Sequence, residues 1–109
     1  MRFHIPIRLP SLANQMHQHW RKLTKLKDAQ KAHTKVAMRG KELPLAPLVV
    51  TITRLGPRRL DDDNLASACK YVRDQIAAIV GIDDGSASYT WVYKQLIGAY
   101  GVDVEIISR

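Results

Sequence analysis

The chain has 109 residues, 46% of them hydrophobic, with seventeen Lys and Arg against ten Asp and Glu for a formal charge of +7. That length suits one domain with a single core and is too short for separate catalytic and binding units, and the composition excludes a disordered chain. No apolar run approaches the about 20 residues of a membrane span, and no charged-then-apolar leader opens the chain, so a soluble, cytoplasmic protein is expected.

Residues 2–9, RFHIPIRL, alternate in character. Phe3, Ile5, Ile7 and Leu9 fall on one face and Arg2, His4 and Arg8 on the other, which predicts a half-buried strand. Pro6 puts that strand at a sheet edge. The polar stretch beginning PSLANQMHQHW reads as a first loop that holds His17, His19, Trp20, Arg21 and Lys22. A helix is expected from about Lys25 to Gly40, stopped by the glycine, and KELPLAP then breaks any helix twice. LVVTITRL, 48–55, is a β-branched strand closed by the Gly56–Pro57 turn. A second helix should start near Asp63 and Asn64, both good caps. Its apolar stripe is Leu65, Ala68, Cys69, Val72, Ile76, Ile79 and Val80, and Gly81 ends it. SYTWVYKQL, 88–96, and VDVEII, 102–107, alternate as strands joined by a turn around Gly98–Gly101. The order β-α-β-α-β-β implies an α+β two-layer sandwich, a four-stranded sheet with helices on one face, in one domain spanning residues 1–109.

Charge is unevenly spread along these elements. Thirteen of the seventeen Lys and Arg precede residue 60, and eight of the ten acids follow it. With a pI near 9.9, this asymmetry points to a polyanionic partner, nucleic acid first. Half of the acids sit in two clusters, Asp61–Asp63 within RRLDDDNL and Asp83–Asp84 within IDDG. Carboxylates this crowded repel one another unless a cation intervenes. An EF-hand is excluded: counting from Asp61, the sixth position is Ala66 instead of glycine and the twelfth is Val72 instead of glutamate. A Cys-rich zinc site is excluded by the single cysteine, and no further His or Cys completes a convincing zinc ligand set around the His17–His19 pair. All-oxygen donors suit Mg²⁺, or Mn²⁺, and Asp61, Asp63, Asp83 and Asp84 are the candidate metal ligands. Such ions support phosphodiester hydrolysis. Arg58 and Arg59 would position phosphates or, in the blander reading, balance the aspartates' charge.

Roughly 17 helical residues separate the clusters, about 25 Å at 1.5 Å per residue, so a straight second helix prevents one chain from closing a metal site. A homodimer closes it if a two-fold axis sets Asp61 and Asp63 of one protomer beside Asp83 and Asp84 of its partner.

RRLDDDNL, 58–65, followed after the helix by Ile82-Asp83-Asp84, resembles the RusA-type Holliday-junction resolvases, small Mg²⁺-dependent nucleases common in phages and prophages. There, basic residues precede D-x-D-N-L and an apolar residue precedes a later D-D; PSLAN is a looser similarity. The resemblance implies a homodimer that binds four-way DNA junctions and makes paired nicks. Asp61, Asp63 and Asp84 map onto the family's essential aspartates, with Asp62 as the intervening residue. The family's lysine, four residues after the second aspartate, is Ser67 here. Lys70, the remaining catalytic candidate, lies on nearly the same helical face as Asp63 and partly compensates, unless it is an ordinary solvated lysine. Lys27, Lys31, Lys35 and Arg39 recur every four residues as a basic stripe, which with Arg21 and Lys22 completes the candidate DNA surface. Tyr89, Trp91 and Tyr93 share a strand face suited to core or dimer packing more than to base stacking. The alternative is a catalytically weak branched-DNA-binding dimer of the same fold, which Ser67 favours.

Overall fold

The alternating apolar stretches pair into one four-stranded sheet in the computed structural model, which describes residues 1–11 and 20–109. The elements are β1 (Arg2–Ile5), α1 (Trp20–Met38), β2 (Leu48–Gly56), α2 (Asp62–Ala68), α3 (Lys70–Val80), β3 (Tyr89–Ile97) and β4 (Gly101–Ser108). The strand order is β1-β4-β2-β3. β1 and β2 both run antiparallel to β4, whereas β2 and β3 are parallel. A parallel pair cannot be joined by a tight turn, so the chain must cross over between them, and α2 with α3 is that crossover.

The fold is α+β with helices over one face of the sheet, as the periodicities imply. β2 alternates strictly, with Leu48, Val50 and Ile52 turned inward. They meet Ile5 of β1, Val102, Val104 and Ile106 of β4, and Leu65, Val72 and Ile76 of the crossover helices. The alternation continues through Arg54, a charged side chain only 4% exposed. β1 is shorter than residues 2–9 suggest. Pro6 has no N–H to give to a ladder, and the Ile7 N–H bonds back to the Ile5 carbonyl instead of to β4. Its place at the sheet edge agrees with the proline.

Three expectations need correction. First, β3 and β4 form no hairpin. They flank β2, and the chain between them steps over its end, where the Gly98 N–H donates to the Gly56 carbonyl at 2.9 Å. A short glycine-bounded link looks like a hairpin locally, and only non-local pairing reveals the step. A Cβ at Gly101 would lie 2.7 Å from His4 Cε1, so a side chain there would have to push that half-exposed imidazole aside. Second, α1 spans Trp20–Met38, so Trp20, Arg21 and Lys22 are helical and do not lie in a loop; His17 and His19 fall outside the described residues. Third, the second helix is not one rod. It divides at Cys69, whose N–H is shared between the Leu65 and Ala66 carbonyls at 3.2 Å each, a local tightening of the turn. Gly81, with φ of 84°, caps α3 in the left-handed region as expected.

Ile52 is fully buried on a strand paired on both sides. Ile52→Ala should lower unfolding stability by about 2–5 kcal/mol in a urea titration. Cys69 is also fully buried, and burial pushes its thiol up to about 12, with Arg54 pulling weakly the other way. The thiol therefore keeps its proton in the fold while the unfolded chain releases it near its ordinary value of 9.0. That contribution to stability is intact below pH 9 and should erode from 9 towards 12, and Cys69→Ala should flatten the corresponding part of the stability–pH curve.

Candidate functional site

The acidic turn follows directly from the end of β2. Gly56 ends the strand, residues 57–61 are irregular, and Asp61 takes the N-cap position of α2 in extended conformation (φ −61°, ψ 156°). The helix is thus capped two or three residues earlier than the expected Asp63–Asn64 caps. The cap is made by position alone: the Asp61 carbonyl accepts from the Leu65 N–H, but its side chain makes no capping bond. Asp61, Asp62 and Asp63 are all exposed, and no carboxylate among them has a hydrogen-bond or ion-pair partner among the described residues. Arg58 and Arg59 are exposed as well and form no ion pair with them. Arg59 and Asp62 do line one cavity of about 510 Å³, with Tyr93, Lys94 and Gln95.

The second cluster is built differently. Asp83 uses Oδ2 to accept the Gly85 N–H at 3.0 Å, forming a tight turn. Asp84 is gripped by Arg73 of α3: Nε donates to Oδ2 at 2.9 Å and Nη2 to the Asp84 carbonyl at 3.0 Å. The same guanidinium donates to the Tyr93 hydroxyl at 2.7 Å and lies 4.7 Å from the centroid of Trp91. Trp91 Nε1 donates to the Asp84 carbonyl, and the Tyr89 hydroxyl donates to the Ile82 carbonyl, both at 2.9 Å. Tyr89, Trp91 and Tyr93 therefore do face the helix layer together, with Tyr89 stacked on Trp91, but their polar tips hold the turn that carries Asp84. Burial raises the Tyr89 pKa, and the charges of Asp84 and Asp83 add to the rise. For Arg73, burial works to lower the pKa, but bonding to Tyr93 and Asp84 outweighs it and the net direction is upward.

Lys70 opens α3 and lines a cavity of about 330 Å³ with Ser67, Arg73, Asp74, Asp84 and Tyr93. Its companion is thus Asp84 of the second cluster; Asp63 does not line that cavity. Asp74, one turn beyond Lys70, also lines a neighbouring cavity with Asp83 and Asp84. Sequence reasoning missed Arg73, Asp74 and the tyrosine–tryptophan support. The available signal was the run of side chains with polar tips at alternate positions of β3, opposite a helix with an arginine on its inner flank. On α1, Lys27 and Lys35 are exposed and Lys31 half-buried, beside the inward Gln30, Thr34 and Met38, and the exposed Arg39 lies in the turn just past the helix end. Arg21 lies over the ring of Trp20, 5.5 Å from its centroid.

The donor chemistry suits a hard divalent cation: the Asp61–Asp63 carboxylates have no partner among the described residues, and Asp83 and Asp84 each keep one oxygen free of the bonds named above. Within the chain, however, no three His, Cys, Asp or Glu among the described residues come together as a metal-binding group. No helix among the described residues is long and apolar enough to cross a membrane. Comparison with protein-family models, curated proteins and solved structures finds no match.

Arg73→Met removes two bonds to Asp84 and one to Tyr93 on a partly exposed pair. It should cost about 1–2 kcal/mol, discounted for solvent screening, and alter the fluorescence of Trp91, both readable in one denaturant titration.

Proposed function

We propose that two copies of this chain form a metal-dependent endonuclease of branched DNA, of the RusA type, which resolves four-way junctions by paired phosphodiester nicks. One observation carries the reading: three exposed carboxylates stand unneutralised at Asp61–Asp63 in a chain of charge +7, with Arg58 and Arg59 three residues or fewer before them. A protein rich in cations that leaves three adjacent anions unpaired is suited to receive a cation from solution. Bound there, Mg²⁺ or Mn²⁺ would activate water and offset the charge developing on the phosphate.

The remaining roles belong to the chain's own residues. Asp61 and Asp63 of one protomer, with Asp83 and Asp84 of its partner, would hold the ion. Arg58 and Arg59 would bind the adjoining phosphates. Lys70, in the cavity that Asp84 lines, would supply the positive charge that Ser67 cannot. The stripe Lys27, Lys31, Lys35 and Arg39, with Arg21 and Lys22, would follow the DNA backbone, binding without regard to sequence and weakening with salt. Closure across two protomers would set the acidic turn before α2 of one beside the Asp83–Asp84 turn after α3 of its partner.

A second reading, a branched-DNA-binding dimer with little catalysis, is favoured by one specific observation: Arg73 already neutralises Asp84.

Labelled four-way, three-way and linear DNA, incubated with Mg²⁺ or with EDTA, separates these possibilities. Symmetric Mg²⁺-dependent nicks in the four-way substrate alone are expected. Asp61→Asn should abolish nicking while junction affinity holds or rises, because a repulsive charge is gone. Binding without cutting by the unaltered chain supports the second reading, and absence of both binding and cutting removes the DNA assignment altogether.

A further inference from the structure

Arg54 has no obvious reason to be charged. The other inward positions before it on β2 are Leu48, Val50 and Ile52, and burying a guanidinium costs several kcal/mol unless its donors are satisfied. No carboxylate pairs with it among the described residues. Its donors go to backbone carbonyls from two separate segments: Nε to Leu9 at 2.7 Å and Nη1 to Arg58 at 2.8 Å. A planar fork with five donors can serve both carbonyls at once, whereas lysine's single ammonium cannot match that spread. Gly56 leaves room for it, since a Cβ there would stand 2.9 Å from Arg54 Nη1.

The register partner of Arg54 on β3 is Gln95. The Gln95 side chain meets one residue twice, with Oε1 accepting the Leu60 N–H at 2.9 Å and Nε2 donating to the Leu60 carbonyl at 2.8 Å. It thus pairs with Leu60 as a further strand would. Two neighbouring side chains of the sheet therefore hold residues 58 and 60, within three residues of Asp61.

We infer that Arg54 and Gln95 act together as a clamp that orients the acidic turn, making both positioning residues for the Asp61–Asp63 carboxylates; their consequence for metal binding and cleavage rests on the nuclease reading above. The segment between a strand end and a seven-residue helix has little else to hold it. Without the clamp, its carboxylates would sample many directions, and a misplacement of about 1 Å is enough to weaken a catalytic constellation about 100-fold.

The test uses the full chain and Gln95→Leu, a change at a half-exposed side chain that leaves the core intact, with Arg54→Lys as a second variant that keeps the charge but cannot span both carbonyls. Three quantities are read: amide hydrogen exchange at Leu60 and through residues 61–65, Mn²⁺ affinity by calorimetry, and kcat and KM on a four-way junction. Gln95→Leu should speed exchange of the Leu60 amide about tenfold or more, with no matching change in the strands. Mn²⁺ affinity and kcat should each fall about tenfold, with KM nearly unchanged. Arg54→Lys should show a smaller shift in the same three readouts. Unchanged exchange at Leu60 overturns the clamp, as does faster exchange that leaves Mn²⁺ affinity and kcat intact in an active protein. If the unaltered chain neither binds Mn²⁺ nor cuts, the nuclease reading fails; the Leu60 exchange still decides whether the clamp holds the turn, because it needs no metal.

Discussion

Parallel pairing of β2 with β3 is the constraint from which the arrangement of the site follows. A chain leaving the end of β2 must return to the start of β3, nine residues or about 30 Å back along the sheet. The crossover makes that return, so the acidic turn before α2 and the Asp83–Asp84 turn after α3 belong to opposite ends of one path. The two anionic turns therefore lie at the two ends of the crossover, and among the described residues no three His, Cys, Asp or Glu come together as a metal-binding group. The hydrophobic stripe of α2 and α3 secures this arrangement, since Leu65, Val72 and Ile76 must lie on the sheet for the core to close.

Polar side chains under the crossover then set what each group can do. On one side, Arg73 reaches from α3 to Asp84 and Tyr93 while Trp91 and Tyr89 bind the turn's carbonyls, so the second acidic group is held firmly and partly neutralised. On the other, Arg54 and Gln95 hold the backbone before the first group and leave its carboxylates untouched. The two turns are thus fixed in contrasting ways, one through its side chain and the other through its main chain. A carboxylate fixed through its main chain keeps all its oxygens for other partners.

Much of this was legible before any coordinates. Period-two and period-3.6 patterns reported the four strands and the helices, Gly81 marked a real stop, and Pro6 marked a real edge. The clusters at Asp61–Asp63 and Asp83–Asp84 were visible as charge density on either side of the second helical stretch. What stayed hidden was what depends on non-local pairing. The step of the chain over β2 resembles a hairpin until the register is known. The tightening at Cys69 leaves no mark in an apolar stripe that continues through it. Arg54 reads as an ordinary polar residue near a strand end, because its meaning lies in carbonyls 45 and 4 residues away. Arg73 reads as helix surface, because its partners arrive from a turn and a strand later in the chain.

The sheet order has one further consequence. β1 ends after four residues and is followed by a proline, but β3 is a nine-residue rim with no proline, and among the described residues only β2 pairs with it. Leu96 and Ile97 are exposed at its end, and Lys94 is its single charge. A rim of this kind invites strand addition by other copies, and natural sheets resist it chiefly with charge. Here that protection comes from Lys94 and the protein's overall surplus of positive charge, so colloidal behaviour is tied to ionic strength: dilute buffer keeps molecules dispersed, whereas concentrated salt screens the repulsion and leaves the open ladder to govern self-association.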